Sequence, residues 1–90
     1  MKTAHLFIKG NVIGVGFRQF VKSNAIKLGL SGFVQNLPDG RVEAVLQGSK
    51  KKIEELILLC RNGPFLAEVM EVRLVWEETE KQYSSFEILH

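Results

Sequence analysis

Leu6-Phe7-Ile8-Lys9-Gly10-Asn11-Val12-Ile13-Gly14-Val15-Gly16-Phe17-Arg18 joins an apolar, strand-like run to the start of a helix-like pattern. Gly10, Gly14 and Gly16 leave the connection with little side-chain bulk, so several backbone N–H groups can turn toward one point. That point lies at a helix N-terminus, where unpaired amides and the helix dipole favour an anion. Arg18 adds a planar, permanently charged fork that matches phosphate or carboxylate oxygens. Glycines alone would also be explained by a tight turn; the arginine favours an oxyanion cradle. The spacing is neither G-x-x-x-x-G-K-S/T nor G-x-G-x-x-G, so nucleotide-binding loops of those kinds are excluded.

Outward from this junction, Ala4 to Lys9 reads as a strand with apolar residues on both faces, which places it inside a sheet. Phe17, Phe20, Val21, Ala25 and Leu28 share one helical face, and Gly29 follows as a stop. Two strands, Ser31 to Leu37 and Arg41 to Gln47, flank Pro38-Asp39-Gly40, whose turn chemistry makes them a hairpin. Ser49 can cap a second helix with Ile53, Leu56, Ile57 and Cys60 as its buried stripe, ended by Gly63 and Pro64. Met70, Val72, Leu74 and Trp76 alternate with Glu71, Arg73, Val75 and Glu77, the period of a half-buried strand. A polar connection from Glu77 to Gln82 precedes a short strand at Phe86 and Ile88. The order βαββαβ, with a possible fifth strand, predicts a ferredoxin-like α+β sandwich: an antiparallel sheet of four to five strands with two helices on one face.

Ninety residues make a single domain spanning 1–90, and 46% hydrophobic with 24% charged residues is the balance of a globular protein. A net charge of +2 does not by itself call for nucleic acid or membrane, and Lys50-Lys51-Lys52 reads as a solvated first helical turn. No apolar run approaches the roughly 18 residues a membrane span needs. Cys60 is alone, and His5 and His90 lie far apart, so neither a disulfide nor a metal set can be assembled. Cys60 reads as a small core hydrophobe and His5 as a packed or solvent-edge histidine. With no signal-peptide pattern at Met1 to His5, a cytoplasmic location is expected.

The glycine loop and the segment Gly32-Phe33-Val34-Gln35-Asn36-Leu37-Pro38-Asp39-Gly40-Arg41-Val42-Glu43 together resemble the acylphosphatase family. That family carries G-x-V-Q-G-V-x-F-R, followed by G-aromatic-V-x-N-x-x-D-G-x-V. Gly10, Val12, Gly14, Val15, Phe17 and Arg18 match the first, and Gly32, Phe33, Val34, Asn36, Asp39, Gly40 and Val42 the second. The resemblance covers essentially the whole chain. It implies a monomeric hydrolase that cleaves the carboxyl–phosphate anhydride of small acyl phosphates without metal or other cofactor. Ile13, Gly14, Val15, Gly16, Phe17 and Arg18 would hold the phosphoryl oxygens, with Arg18 and Asn36 as catalytic residues and Asn36 orienting the attacking water. Inorganic phosphate or sulfate would compete as an anion.

The implied chemistry suits such a site. An acyl phosphate expels a carboxylate, whose conjugate acid has a pKa of about 4, so it leaves unprotonated at neutral pH. No general acid is needed, and phosphoryl transfer rests on positioning and charge stabilisation. Two positions depart from the family pattern. Ile13 stands where glutamine is usual, which leaves backbone amides intact but puts loop rigidity or rate in question. Leu37 stands where threonine is common, removing a hydroxyl beside Asn36. The alternative of a nucleic-acid-binding sheet is disfavoured, because Arg41 to Gln47 has no aromatic residue on which a base could stack.

Overall fold

The computed structural model describes residues 1–90. Its elements are β1 (Lys2–Asn11), α1 (Phe17–Lys27), β2 (Ser31–Asn36), β3 (Val42–Gly48), α2 (Lys50–Asn62), β4 (Glu68–Glu77) and β5 (Phe86–Leu89). The local signals act as the sequence suggests. Ser49 caps α2 by accepting from the Lys52 amide at 3.3 Å, and Ile53, Leu56, Ile57 and Cys60 are all buried. In the hairpin, Leu37 donates to the Arg41 carbonyl at 2.8 Å and Gly40 to the Leu37 carbonyl at 3.0 Å. No helix is long and apolar enough to cross a membrane.

The five strands form one sheet in the order β4-β1-β3-β2-β5. Ala4, Leu6 and Ile8 of β1, Val34 of β2, and Val42, Ala44 and Leu46 of β3 point to one face. There they join Phe17, Val21 and Ala25 of α1 and the stripe of α2 in a single core. Burying a leucine or phenylalanine side chain stabilises by about 1.5–3 kcal/mol, so this layer, rather than helix propensity, holds α1 and α2 in place.

Two expectations are corrected. The first is the antiparallel sheet: β5 pairs with β2 in parallel, so the sheet is mixed. The cause is where β4 ends. Glu77 pairs with Thr3, Thr3 with Gln47 and Gln47 with Ser31, so β4 finishes at the end of the sheet where β2 begins. The chain then crosses directly to the far edge and starts β5 alongside β2, with no return leg. Gln47, only 2% exposed, fastens this crossing. Its amide donates to Thr3 Oγ1 at 3.0 Å and to the Lys81 carbonyl at 2.8 Å, and its oxygen accepts from the Tyr83 N–H at 2.9 Å.

The second correction concerns β4. Val72 packs on the core, but Met70 is 77% exposed. The register against β1 shifts between Lys9 and Gly10, with Lys9 opposite Glu71 and Gly10 opposite Val69. Met70 is therefore the extra residue of a β-bulge, which breaks the two-residue period and hands the inward position to Val69. Gly10 belongs to this contact rather than to the loop: a Cβ there would lie 2.1 Å from the Glu68 carbonyl oxygen.

Candidate active site

The loop from Val12 to Gly16 leaves β1 and enters α1 with its ends anchored in the core, since Val12 and Phe17 are each 1% exposed. Gly14 and Gly16 take φ of 74° and 80°, a left-handed conformation that side-chain-bearing residues adopt only with strain. Gly16 is the N-cap of α1 and offers no side chain to cap it. Its carbonyl accepts from Phe20 at 3.0 Å, while no amide from Val12 to Gln19 has an acceptor elsewhere in the chain. These free donors lie at the N-terminus of α1, where the helix dipole favours an anion.

A cavity of about 240 Å³ opens at this point, lined by Gly14, Gly16, Phe17 and Arg18, with Val12, Gln19, Asn36, Ile88 and His90 completing its wall. Asn36 is the last residue of β2, brought to the cavity by the pairing of β2 with β3. Its Oδ1 is buried and has no hydrogen-bond partner. Buried polar atoms are nearly always paired, so one left free at a cavity wall points to a ligand or water as partner. Arg18 takes part in no ion pair within the chain; its Nη1 lies 3.4 Å from His90 Nδ1.

The sequence-predicted residues thus divide. Gly14, Gly16, Phe17, Arg18 and Asn36 meet at one cavity. Ile13, 41% exposed, precedes Gly14, and Val15 lies between the two glycines, but neither lines the wall. Phe17 borders the cavity although it is 1% exposed and packed in the core. Val12, Gln19, Ile88 and His90 were not anticipated. For His90 a signal existed: Phe86, Ile88 and His90 recur every second residue, which sets all three on the helix-bearing face of the terminal strand.

Other singled-out residues lie elsewhere. Asp39 is turn chemistry: the Arg41 amide at 3.0 Å, reinforced by the Arg41 side chain, holds its carboxyl below the usual range. His5 sits on the opposite face of the sheet, with Nε2 at 2.6 Å from Glu43 and Nδ1 against Glu77. No group of three or more His, Cys, Asp or Glu side chains is placed to hold a metal ion.

Fold and site define a ferredoxin-like domain with a cavity at a strand–loop–helix junction, lined by loop glycines, Arg18 and Asn36. The acylphosphatase family model matches residues 4–88. An acylphosphatase from Thermococcus kodakarensis is 52% identical over 77 residues, covering 86% of this chain and 85% of its own. One from Thiobacillus denitrificans is 48% identical over 87 residues, covering 97% and 96%. The crystal structure of acylphosphatase from Bacillus subtilis superposes with a TM-score of 0.97 at 30% identity over 100% of both chains. The chain belongs to the acylphosphatase family. It is an enzyme, a hydrolase of acyl phosphates.

Proposed function

We propose that the cavity at the loop–α1 junction binds the phosphoryl group of an acyl phosphate and that water attacks phosphorus directly. The observation that carries this reading is the buried, unpartnered Oδ1 of Asn36 on the same wall as the unengaged loop amides and Arg18. The amides of Gly14, Gly16 and Phe17 and the Arg18 guanidinium take the phosphoryl oxygens and stabilise the charge that spreads over them in the transition state. Asn36 Oδ1 accepts from the attacking water and turns its lone pair toward phosphorus. The new P–O bond forms as the bond to the acyl oxygen breaks. The electron pair leaves with the carboxylate, and the proton of the water passes to a phosphoryl oxygen.

One chain carries every group this scheme uses, so a single copy suffices for turnover. A site that grips only the phosphoryl end accepts many acyl groups and is inhibited by phosphate or sulfate. Cys60, a buried free thiol, suits a reducing compartment, and we place the enzyme in the cytoplasm.

The test is hydrolysis of benzoyl phosphate at neutral pH with EDTA present, by wild type and by Asn36→Ala. Metal-independent turnover that falls about a hundredfold in the variant, with inhibition by phosphate retained, supports the scheme. Full activity in Asn36→Ala would remove Asn36 from the chemistry.

A further inference from the structure

Displacement at phosphorus keeps the attacking water and the departing oxygen roughly in line, on opposite sides of the phosphoryl group. The cavity has two sides of different origin. Asn36 ends β2, and because Gln35 lies opposite Leu89, His90 follows β5 next to it; with Ile88 they form the sheet side. The facing side is the loop and the first turn of α1, which bring Arg18 and Gln19 to the wall. Gln19 is exposed, and its Nε2 donates to Ser23 Oγ at a long 3.3 Å.

We propose that Gln19 binds the departing carboxylate, an assignment that rests on the phosphoryl-site reading given above. With water held at Asn36, the acyl oxygen leaves toward the loop and α1. There the amides of Gly14, Gly16 and Phe17 and the Arg18 guanidinium serve the phosphoryl oxygens. The Gln19 carboxamide is the side-chain donor of that side without a part in the scheme. His90, the other polar side chain of the wall, stands on the water side and against Arg18. A hydrogen bond to a carboxylate is charge-assisted and about twice as strong as one to a hydroxyl, so the Gln19 amide turns from Ser23 to the acyl oxygen as negative charge grows there. The P–O bond breaks with its electron pair kept by that oxygen. Gln19 gives a hydrogen bond and no proton, as suits a carboxylate that departs ionised. Because the bond strengthens along the reaction, it acts on kcat rather than on KM.

Single-turnover hydrolysis of benzoyl phosphate and its para-nitro and para-methoxy derivatives tests this in wild type, Gln19→Leu and Gln19→Lys. Gln19→Leu should slow the parent compound about tenfold, the worth of one hydrogen bond to a charged acceptor. Inhibition by inorganic phosphate, which has no acyl oxygen, should stay as in wild type. A more basic carboxylate gains more from a donor, so the para-methoxy compound should lose more than the para-nitro one. Gln19→Lys supplies a donor again and should bring the ratio of these two rates back to the wild-type value or below it. A structural role alone would slow all three compounds alike. That result, an unchanged rate in Gln19→Leu, or a lysine variant that keeps the ratio of the leucine variant would each overturn the assignment. Ser23→Ala removes only the resting partner and should keep wild-type rates; a loss equal to that of Gln19→Leu would place the effect in the helix turn instead. These outcomes are separate from the placement of the water, which full activity in Asn36→Ala would overturn.

Discussion

The Nη1 of Arg18 stands 3.4 Å from the Nδ1 of His90, tying the first turn of α1 to the residue that follows β5. A neutral imidazole with its proton on Nε2 accepts from the guanidinium and leaves the remaining N–H groups of the fork for an anion. His90→Ala should therefore raise KM for benzoyl phosphate about fivefold, the worth of one hydrogen bond of ~1 kcal/mol, with kcat little changed. His90→Asn keeps an acceptor near the same place and should restore most of the loss. Steady-state kinetics of the two variants decide the matter: an unaltered KM in His90→Ala means the contact does not hold the arginine.

Arg18 and Asn36 should separate kinetically. Arg18→Ala removes a charged donor to the phosphoryl group, so KM and the inhibition constant for inorganic phosphate both rise while the rate falls. Asn36→Ala should lower kcat about a hundredfold, the ~3 kcal/mol of one preorganised group, and leave phosphate inhibition nearly as it was. Equal weakening of phosphate inhibition in both variants contradicts the assignment.

Glycine substitutions should rank by cause. At Gly16 an added Cβ has no neighbour within 4 Å, so Gly16→Ala meets only the strain of φ 80°, about 1–2 kcal/mol. At Gly10 the same methyl lies 2.1 Å from a backbone oxygen of β4, which the strands can relieve only by separating. Thermal unfolding should show the larger fall in Tm for Gly10→Ala; the reverse order would mean that β1 and β4 give way easily.

Gln47→Ala leaves the Tyr83 N–H and the Lys81 carbonyl without their present partners, a cost of about 1–3 kcal/mol. Because these bonds hold the crossing from β4 to β5, the loss should be local before it is global. Hydrogen exchange is the check: the Tyr83 amide should exchange much faster in the variant, while amides in the middle of β1 slow or quicken only with overall stability.

Burial raises the Cys60 thiol from 9.0 to about 12. The native protein should resist aromatic disulfide reagents at neutral pH and react only on unfolding. The same shift sets a stability trend. Below pH 9.0 both folded and unfolded chains hold the proton, so the contribution is fully present. As pH rises toward about 12 the unfolded chain releases it first and gains. Denaturation midpoints should fall more steeply above pH 9.0 in wild type than in Cys60→Val, and parallel slopes would rule out the thiol as a source.

Local chemistry made much of this molecule legible. Ser49, the stripe from Ile53 to Cys60 and Pro38-Asp39-Gly40 each act within a few residues, and each element lies where its pattern places it. The glycine loop and Asn36 were legible as two motifs, and their meeting at one cavity follows from the βα and ββ connections between them. What stayed hidden depends on distant partners. The bulge at Met70 arises because Gly10 lets β4 approach β1 closely, which no alternation within β4 could disclose. Parallel pairing of β5 follows from where β4 happens to finish. The carboxylates around His5 come from β3 and β4, and become its neighbours only once three strands lie side by side.

The strand order has a temporal consequence. β1 sits between β3 and β4, and its Thr3 pairs with Glu77 near the other end of the chain. Such distant pairings must close large loops before any contact rewards them, which slows the search for the native state. During synthesis β1 waits for the ribosome to deliver β4 before its second neighbour exists. The rate of folding is therefore governed by the meeting of early and late segments, and a circular permutant that begins with β4 and runs through β5 into β1 should fold faster than the natural order.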